Sequence, residues 1–325
     1  MENTILEVKD LKKYFPVAKG TFSKANEFIK AVDGVNFSIA EGETFGLIGE
    51  SGCGKTTVGK LVTRLHTADS GQILFNGQDI TKLNRKEMLP IYKDMQIIFQ
   101  DPYGSLNPRM TVETLVSEPM IRNKVAERKN VRDEVVGLLN MVGLSSEDLS
   151  KYPHEFSGGQ RQRIVVARAL SVKPKLLICD EPVSALDVSV QAQVLNLLKD
   201  IQEKLNISYL FIAHGMPVVR HISDRVGIMY MGKLVEIADA ESVFESAVHP
   251  YTKALMSAVP IADPERKKER IVLNGEIPSP INLPSGCRFH TRCLHCTKQC
   301  IEKEPELQEI QPGHFVACFN WDKNN

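Results

Sequence analysis

Apolar and polar positions alternate over residues 5–9 and 30–39, a period of two that predicts half-buried strands forming an antiparallel flap. Four other short stretches, 43–48, 95–99, 176–180 and 208–213, are apolar nearly throughout and predict strands buried on both faces. Between them the spacing lengthens to that of a helix, over 57–65, 111–149, 164–170 and 188–205. Strands alternating with helices predict an open, mostly parallel α/β sheet that binds ligand along the carboxyl ends of its strands. The polar motifs of the chain stand at those ends.

The first is Gly49-Glu50-Ser51-Gly52-Cys53-Gly54-Lys55-Thr56, which follows a strand, opens a helix and fits the spacing Gly, four residues, Gly-Lys-Ser/Thr. Such a loop turns backbone N–H groups and a helix N-terminus toward one anion. Lys55 is expected to reach the β- and γ-phosphates of a nucleotide, and the Thr56 hydroxyl to hold magnesium; Thr57 completes the nucleotide-binding set. Upstream, Phe15, or else Tyr14, is positioned to stack on a purine face, a contact worth about 1–3 kcal/mol per base. The competing reading has both rings packing the flap.

Gln100 ends the strand at 95–99 and is expected to touch magnesium and the attacking water. Ser157 reads as a helix cap ahead of Gly158-Gly159-Gln160, which makes a second anion-binding helix end. Asp180 and Glu181 close the strand at 176–180: Asp180 takes magnesium, and Glu181 polarises water for attack on the γ-phosphorus. Residues 184–187 follow, ending on Asp187. His214 ends the strand at 208–213; a lone histidine there is more often structural than catalytic.

With 325 residues, the chain suits one large α/β domain and an appendage. Lys+Arg and Asp+Glu are both 40, so no bulk charge draws it to nucleic acid or anionic lipid, and membrane contact is expected to run through a protein partner. No apolar run approaches the roughly 18 residues of a spanning helix, and the first seven residues do not read as a signal peptide, which predicts a cytosolic chain. The mixed-charge run at 263–270 reads as a solvated linker.

Taken in order, Gly49 to Thr56, Gln100, Ser157 to Gln160, Asp180-Glu181, 184–187 and His214 resemble the nucleotide-binding subunit of an ABC transporter. The resemblance implies a P-loop ATPase core over 1–245 with an N-terminal β flap and a helical insert at about 101–160. It implies a head-to-tail dimer in which Ser157 and its helix cap the γ-phosphate held by the partner's loop, and it assigns His214 to that phosphate. One departure is that His214 is followed by Gly215-Met216-Pro217, where the family commonly has Asp. Tandem duplication and inserted coiled coil, the marks of non-transport relatives acting on ribosomes or DNA, are both absent.

Residues 246–325 form the appendage. His249-Pro250-Tyr251-Thr252, the proline-spaced stretch 275–286 and Cys287-Arg288-Phe289-His290-Thr291-Arg292-Cys293 are similar to the tail of oligopeptide and dipeptide importer ATPases. Nickel and glutathione importers share much of it. The resemblance implies a heterodimer of two ATPases, this chain being the second, on the cytoplasmic face of the membrane. Two transmembrane permease subunits and an extracellular or periplasmic peptide-binding protein complete such a system.

Five of the seven cysteines, Cys287, Cys293, Cys296, Cys300 and Cys318, fall in this tail. A segment without room for its own core gains from a staple, and clustered thiolates suit zinc or an iron–sulfur cluster. Reduced, merely buried thiols are the alternative. The resemblance implies a [4Fe–4S] cluster on Cys287, Cys293, Cys300 and Cys318, with Cys296 a possible ligand. Cys53 and Cys179 read as small packing residues.

Overall fold

The computed structural model describes residues 3–17, 27–127, 129–259, 271–273, 275–276 and 278–322. The mixed-charge run at 263–270 lies outside them. Strand β1 (Thr4–Val17) runs past its alternating stretch and carries Tyr14 and Phe15; its register slips between Lys9 and Lys12, where Asp10 has φ 42° and bulges the strand. Then come β2 (Glu27–Ala40), the fully buried β3 (Thr44–Ile48) and α1 (Lys55–Val62). Helix α1 starts two residues earlier than the apolar spacing predicts and ends sooner, because Gly54 turns the chain into it and Arg64, at φ 57°, turns it out.

Strands β4 (Ser70–Phe75) and β5 (Gln78–Asp79) lead to α2 (Arg85–Asp94), where the Asn84 side chain accepts from two backbone N–H groups and Glu87 returns the bond. Strand β6 (Met95–Ile98) and the one-turn α3 (Pro102–Ser105) follow. The stretch expected to be helical over 111–149 is two helices, α4 (Val112–Arg122) and α5 (Val131–Met141), since Lys124 at φ 54° stops the first. Next come α6 (Gly158–Leu170), β7 (Leu176–Asp180), α7 (Val188–Leu205) and β8 (Ser208–Ala213). The chain continues as α8 (Met216–Ile222), β9 (Arg225–Tyr230), β10 (Lys233–Asp239), α9 (Ala240–Ser246) and α10 (Pro250–Ser257). It closes with α11 (Lys298–Glu302), β11 (Gln308–Gln311) and β12 (His314–Val316).

The chain forms two units. The first comprises Met1–Ile5, Ile39–Thr44 and Lys82–Ala213. Its strands β6, β7 and β8 are parallel, with Met95 opposite Leu176 and Leu176 opposite Ser208. Every residue of β7 and β8 is buried, as strands covered on both faces require. The parallel arrangement sends Gln100 and the Asp180-Glu181 pair off the same ends of their strands.

The second unit comprises Leu6–Ser38, Phe45–Thr81 and His214–Asn325. It holds the predicted flap, a sheet of order β2-β1-β4-β5 in which β1 pairs antiparallel with β4 and β4 with β5. It also holds a mixed run of order β11-β12-β10-β9-β3, in which β3 and β9 are parallel and the remaining pairings antiparallel. The tail strands were not legible in advance, because β11 and β12 are four and three residues long.

Candidate functional site

In the second unit, Gly54 ends the glycine loop at φ 111°, and a Cβ there would stand 2.0 Å from the Ala31 carbonyl oxygen. Any side chain would force the loop off β2. Gly49 is held as tightly, since a Cβ would meet the Met229 carbonyl at 2.2 Å. Helix α1 begins at once after Gly54 with no side-chain cap, leaving its first N–H groups for an anion.

Lys55 is 4% exposed, and its ammonium donates to the carbonyls of Gly49 (2.7 Å) and Glu50 (3.0 Å) and to Cys53 Sγ (3.7 Å). The cation thus closes the loop on itself and is poised to exchange carbonyls for phosphate oxygens. Cys53 and Cys179 are buried as expected of packing residues, and burial raises both thiols above their ordinary range. Ser51 and Gly52 are exposed, and Thr56 and Thr57 half-buried.

Tyr14 and Phe15, adjacent on β1, point to opposite faces. The Tyr14 hydroxyl donates to Asp33, while the Phe15 ring meets His66 edge-on at 5.7 Å with Lys13 over it at 5.6 Å. Both rings are half-buried, and only the Tyr14 side chain is tied down by a hydroxyl bond. His214 is exposed just ahead of α8, and Pro217 takes the second position of that helix, where no backbone donor is needed. Gly215, at φ −89°, adopts a conformation open to any residue.

In the first unit, Gln100 Nε2 donates to Glu181 Oε2 at 2.9 Å, so two residues 81 apart in sequence meet beyond the parallel strands. Glu181 has φ 50°, a left-handed conformation that costs a non-glycine residue about 1–2 kcal/mol. Its N–H continues the ladder to the Ile212 carbonyl at 2.9 Å. Asp180, by contrast, is buried within β7.

The Ser157 hydroxyl accepts from Gln160 N–H (3.3 Å), and Gln160 Oε1 accepts from Ser157 N–H (3.0 Å), a reciprocal cap on exposed residues at the start of α6. Gly158 is half-buried; Gly159 is buried, and a Cβ there would stand 2.3 Å from Val190 Cγ1 of α7. Asp187 caps α7, accepting from Val190 N–H at 3.0 Å; that bond first, and the Ser189 hydroxyl second, hold its carboxyl below the usual range.

Four tail thiols, those of Cys287, Cys293, Cys300 and Cys318, line one cavity of about 10 Å³ beside Phe289 and His249 in the second unit. That is the space of a single water. Cys296 is exposed and lies off this cavity. Burial pushes the Cys287 thiol up to about 12 and the Cys293 thiol up to about 11, so without a nearby cation both stay neutral. Among the described residues, no three His, Cys, Asp or Glu side chains converge closely enough to hold one metal ion.

Several residues around the glycine loop escaped the sequence reading. Arg292 Nη1 lies 3.2 Å from a Glu50 carboxylate oxygen, the Tyr251 hydroxyl accepts from Glu50 N–H at 3.0 Å, and Arg288 pairs with Asp33. Burial alone would raise the Asp33 carboxyl, but the Tyr14 hydroxyl and Arg288 bring it below its ordinary range. The one available signal was two arginines between Cys287 and Cys293.

Residues 32–184 match the family model described as ABC transporter, and residues 235–300 match that described as oligopeptide/dipeptide transporter, C-terminal region. Oligopeptide transport ATP-binding protein AppF of Bacillus subtilis (strain 168) is 51% identical over 320 residues, 98% of this chain and 97% of that protein. Dipeptide transport ATP-binding protein DppF of Escherichia coli (strain K12) is 44% identical, over 100% of this chain and 96% of that one. Among solved structures, cbiO1 of Clostridium perfringens, part of an ABC transporter complex, aligns with TM-score 0.66 and 29% identity over 76% of this chain and 93% of its own. The dimeric ATP-binding cassette MJ0796 bound to ADP and Pi aligns with TM-score 0.64 and 26% identity, over 72% and 98%. Among the described residues, no helix is long and apolar enough to cross a membrane.

Proposed function

This chain belongs to the oligopeptide and dipeptide transport family of ABC transporter ATP-binding proteins, and from that premise we propose how its residues run the cycle. It is an ATPase, and its hydrolysis of ATP powers import of oligopeptides or dipeptides through an ABC transporter. Phe15 takes the purine face. Lys55 leaves the carbonyls of Gly49 and Glu50 for the β- and γ-phosphates, and the loop N–H groups beyond Glu50, as far as Thr57, surround the chain of phosphates.

Thr56, Asp180 and Gln100 would hold magnesium, an all-oxygen donor set that suits this hard cation, which would supply positive charge to offset that of the phosphates. Glu181 accepts a proton from water as the water oxygen bonds to the γ-phosphorus, and the bond to the bridging oxygen breaks to release ADP. Gln100 orients the Glu181 carboxylate. His214 donates to the γ-phosphate.

A homologous ATPase closes on this chain head to tail, so that Ser157, Gly158, Gly159 and Gln160 of each subunit cap the γ-phosphate held by the other, with Asp187 beside them. The exposed, fully capped start of α6 supports this, as does the likeness to a cassette described as dimeric with ADP and Pi bound. Two permease subunits hold the pair at the cytoplasmic face of the membrane, and a peptide-binding protein outside delivers the solute.

Cys287, Cys293, Cys300 and Cys318 hold a [4Fe–4S] cluster. That the four thiols line one cavity supports this reading; at about 10 Å³ the cavity must widen to admit the group. Iron and sulfide analysis after anaerobic purification tests it; protein free of iron and inorganic sulfide ends it.

The bond between Gln100 and Glu181 at the strand ends carries the hydrolytic reading. Glu181→Gln should keep ATP binding while phosphate release falls about 10²- to 10⁴-fold. Wild-type turnover in that variant would remove Glu181 from the role of base.

A further inference from the structure

Glu50 is the second residue of the phosphate loop and the only carboxylate in it. Its carbonyl accepts from Lys55 and its N–H donates to the Tyr251 hydroxyl. The carboxylate faces Arg292, whose Nη1 lies 3.2 Å and 3.5 Å from the two oxygens. Arg292 is 9% exposed, and Tyr230 accepts from the same nitrogen at 3.5 Å. The tyrosines and Phe289 form one buried aromatic group, with ring centroids 4.7–5.4 Å apart.

A second tether runs in parallel. Arg288 donates to Asp33 and to the Met231 carbonyl, in the turn whose Gly232 N–H donates to the Cys53 carbonyl of the loop at 2.8 Å. Both arginines come from the short segment bracketed by Cys287 and Cys293.

We propose that Arg292 is a positioning residue for ATP, acting through Glu50, with Arg288 as the second tether of the same segment. The inference rests on the assignment of ATP to the glycine loop. Two physical effects combine. When Lys55 turns to the phosphates, the Gly49 and Glu50 carbonyls lose their donor, and the Arg292 and Tyr251 contacts keep the loop in its binding shape, so less ordering is left for ATP to impose. In addition, a bare Glu50 carboxylate beside the triphosphate repels it, and Arg292 cancels that charge at short range in a partly buried setting, where screening is weak.

The test is calorimetric binding of Mg-ATP to the full chain as wild type, Arg292→Ala, Arg292→Lys, Glu50→Gln and the Arg292→Ala/Glu50→Gln double variant. Arg292→Ala should weaken binding about tenfold, between the cost of an exposed pair and that of a buried one, and raise KM by more than it lowers kcat. Arg292→Lys should recover most of the loss, because an ammonium still cancels the charge. The double variant should bind several-fold more tightly than Arg292→Ala alone, a recovery that general loosening of the fold would not give.

Wild-type affinity in Arg292→Ala, or a double variant no better than that single one, overturns the proposal. Lys55→Ala separates the two readings. If it loses ATP while Arg292→Ala does not, only the positioning role fails; if it binds as wild type does, the nucleotide assignment fails and takes this inference with it.

Discussion

Glu181 sits at a backbone angle that suits glycine, so the residue proposed as the base carries local strain. Its left-handed turn takes the side chain off the line of β7 just as the strand ends, so Asp180 stays buried while its neighbour reaches Gln100. Strain of that size has a measurable counterpart. Glu181→Gly should raise the melting temperature by about 1 °C while phosphate release collapses, since the strain relieved slightly exceeds the chain entropy that glycine adds. A melting point at or below that of the wild type would show that the carboxylate contributes more through its bonds than it costs in conformation. The motifs Gly-Lys-Thr, Asp-Glu and Ser-Gly-Gly-Gln were legible because each is a local run of characteristic residue types at a fixed spacing. The clasp of Arg292 on Glu50 was not, because a pair 242 residues apart leaves no periodic trace.

Helix α6 shows how an element can be readable in type and opaque in its packing. Its reciprocal Ser157–Gln160 cap and apolar spacing announce both its start and its course. What the spacing conceals is why Gly159 lacks a side chain: α7 approaches until Val190 Cγ1 would be 2.3 Å from a Cβ. Gly159→Ala should therefore destabilise by about 1–3 kcal/mol through overpacking, and Val190→Ala in the same chain should restore most of it, read from paired thermal melts. An unrestored double variant would place the cost in the backbone instead. The apolar strands β7 and β8 were bounded to the residue by their composition, whereas the helical stretch at 111–149 divided where Lys124 adopts φ 54°, a choice that hydrophobic spacing does not record.

On the scale of the whole chain, the tail is tied down by a carboxylate as well as by the buried rings of Tyr251 and Phe289. Glu236 of β10 is fully buried and accepts from the N–H groups of Val248 and His249, both at 2.9 Å, and from His314 Nε2 of β12 at 2.8 Å. Burial would raise this carboxyl, but His314 and the two backbone donors hold it below its ordinary value. His249 is buried beside it with Nδ1 accepting from Tyr251 N–H at 3.1 Å, and burial brings this imidazole down to about 4. Between pH 6.5 and about 4 the unfolded chain therefore binds a proton that the folded one refuses, and stability falls as the pH falls through that window. Glu236, whose folded value is depressed, adds its own loss at lower pH still. His249→Asn, which can keep the helix cap without titrating, should flatten the dependence of melting temperature on pH between 6.5 and 4; an unchanged slope would exclude His249 as its source. The same staple fixes β12 against β10 and lets β11 lie outermost, with Gln308, Glu309 and Gln311 all exposed. Its short, hydrophilic rim offers a poor template for foreign strands, so the appendage shields the apolar β10 from aggregation with other chains.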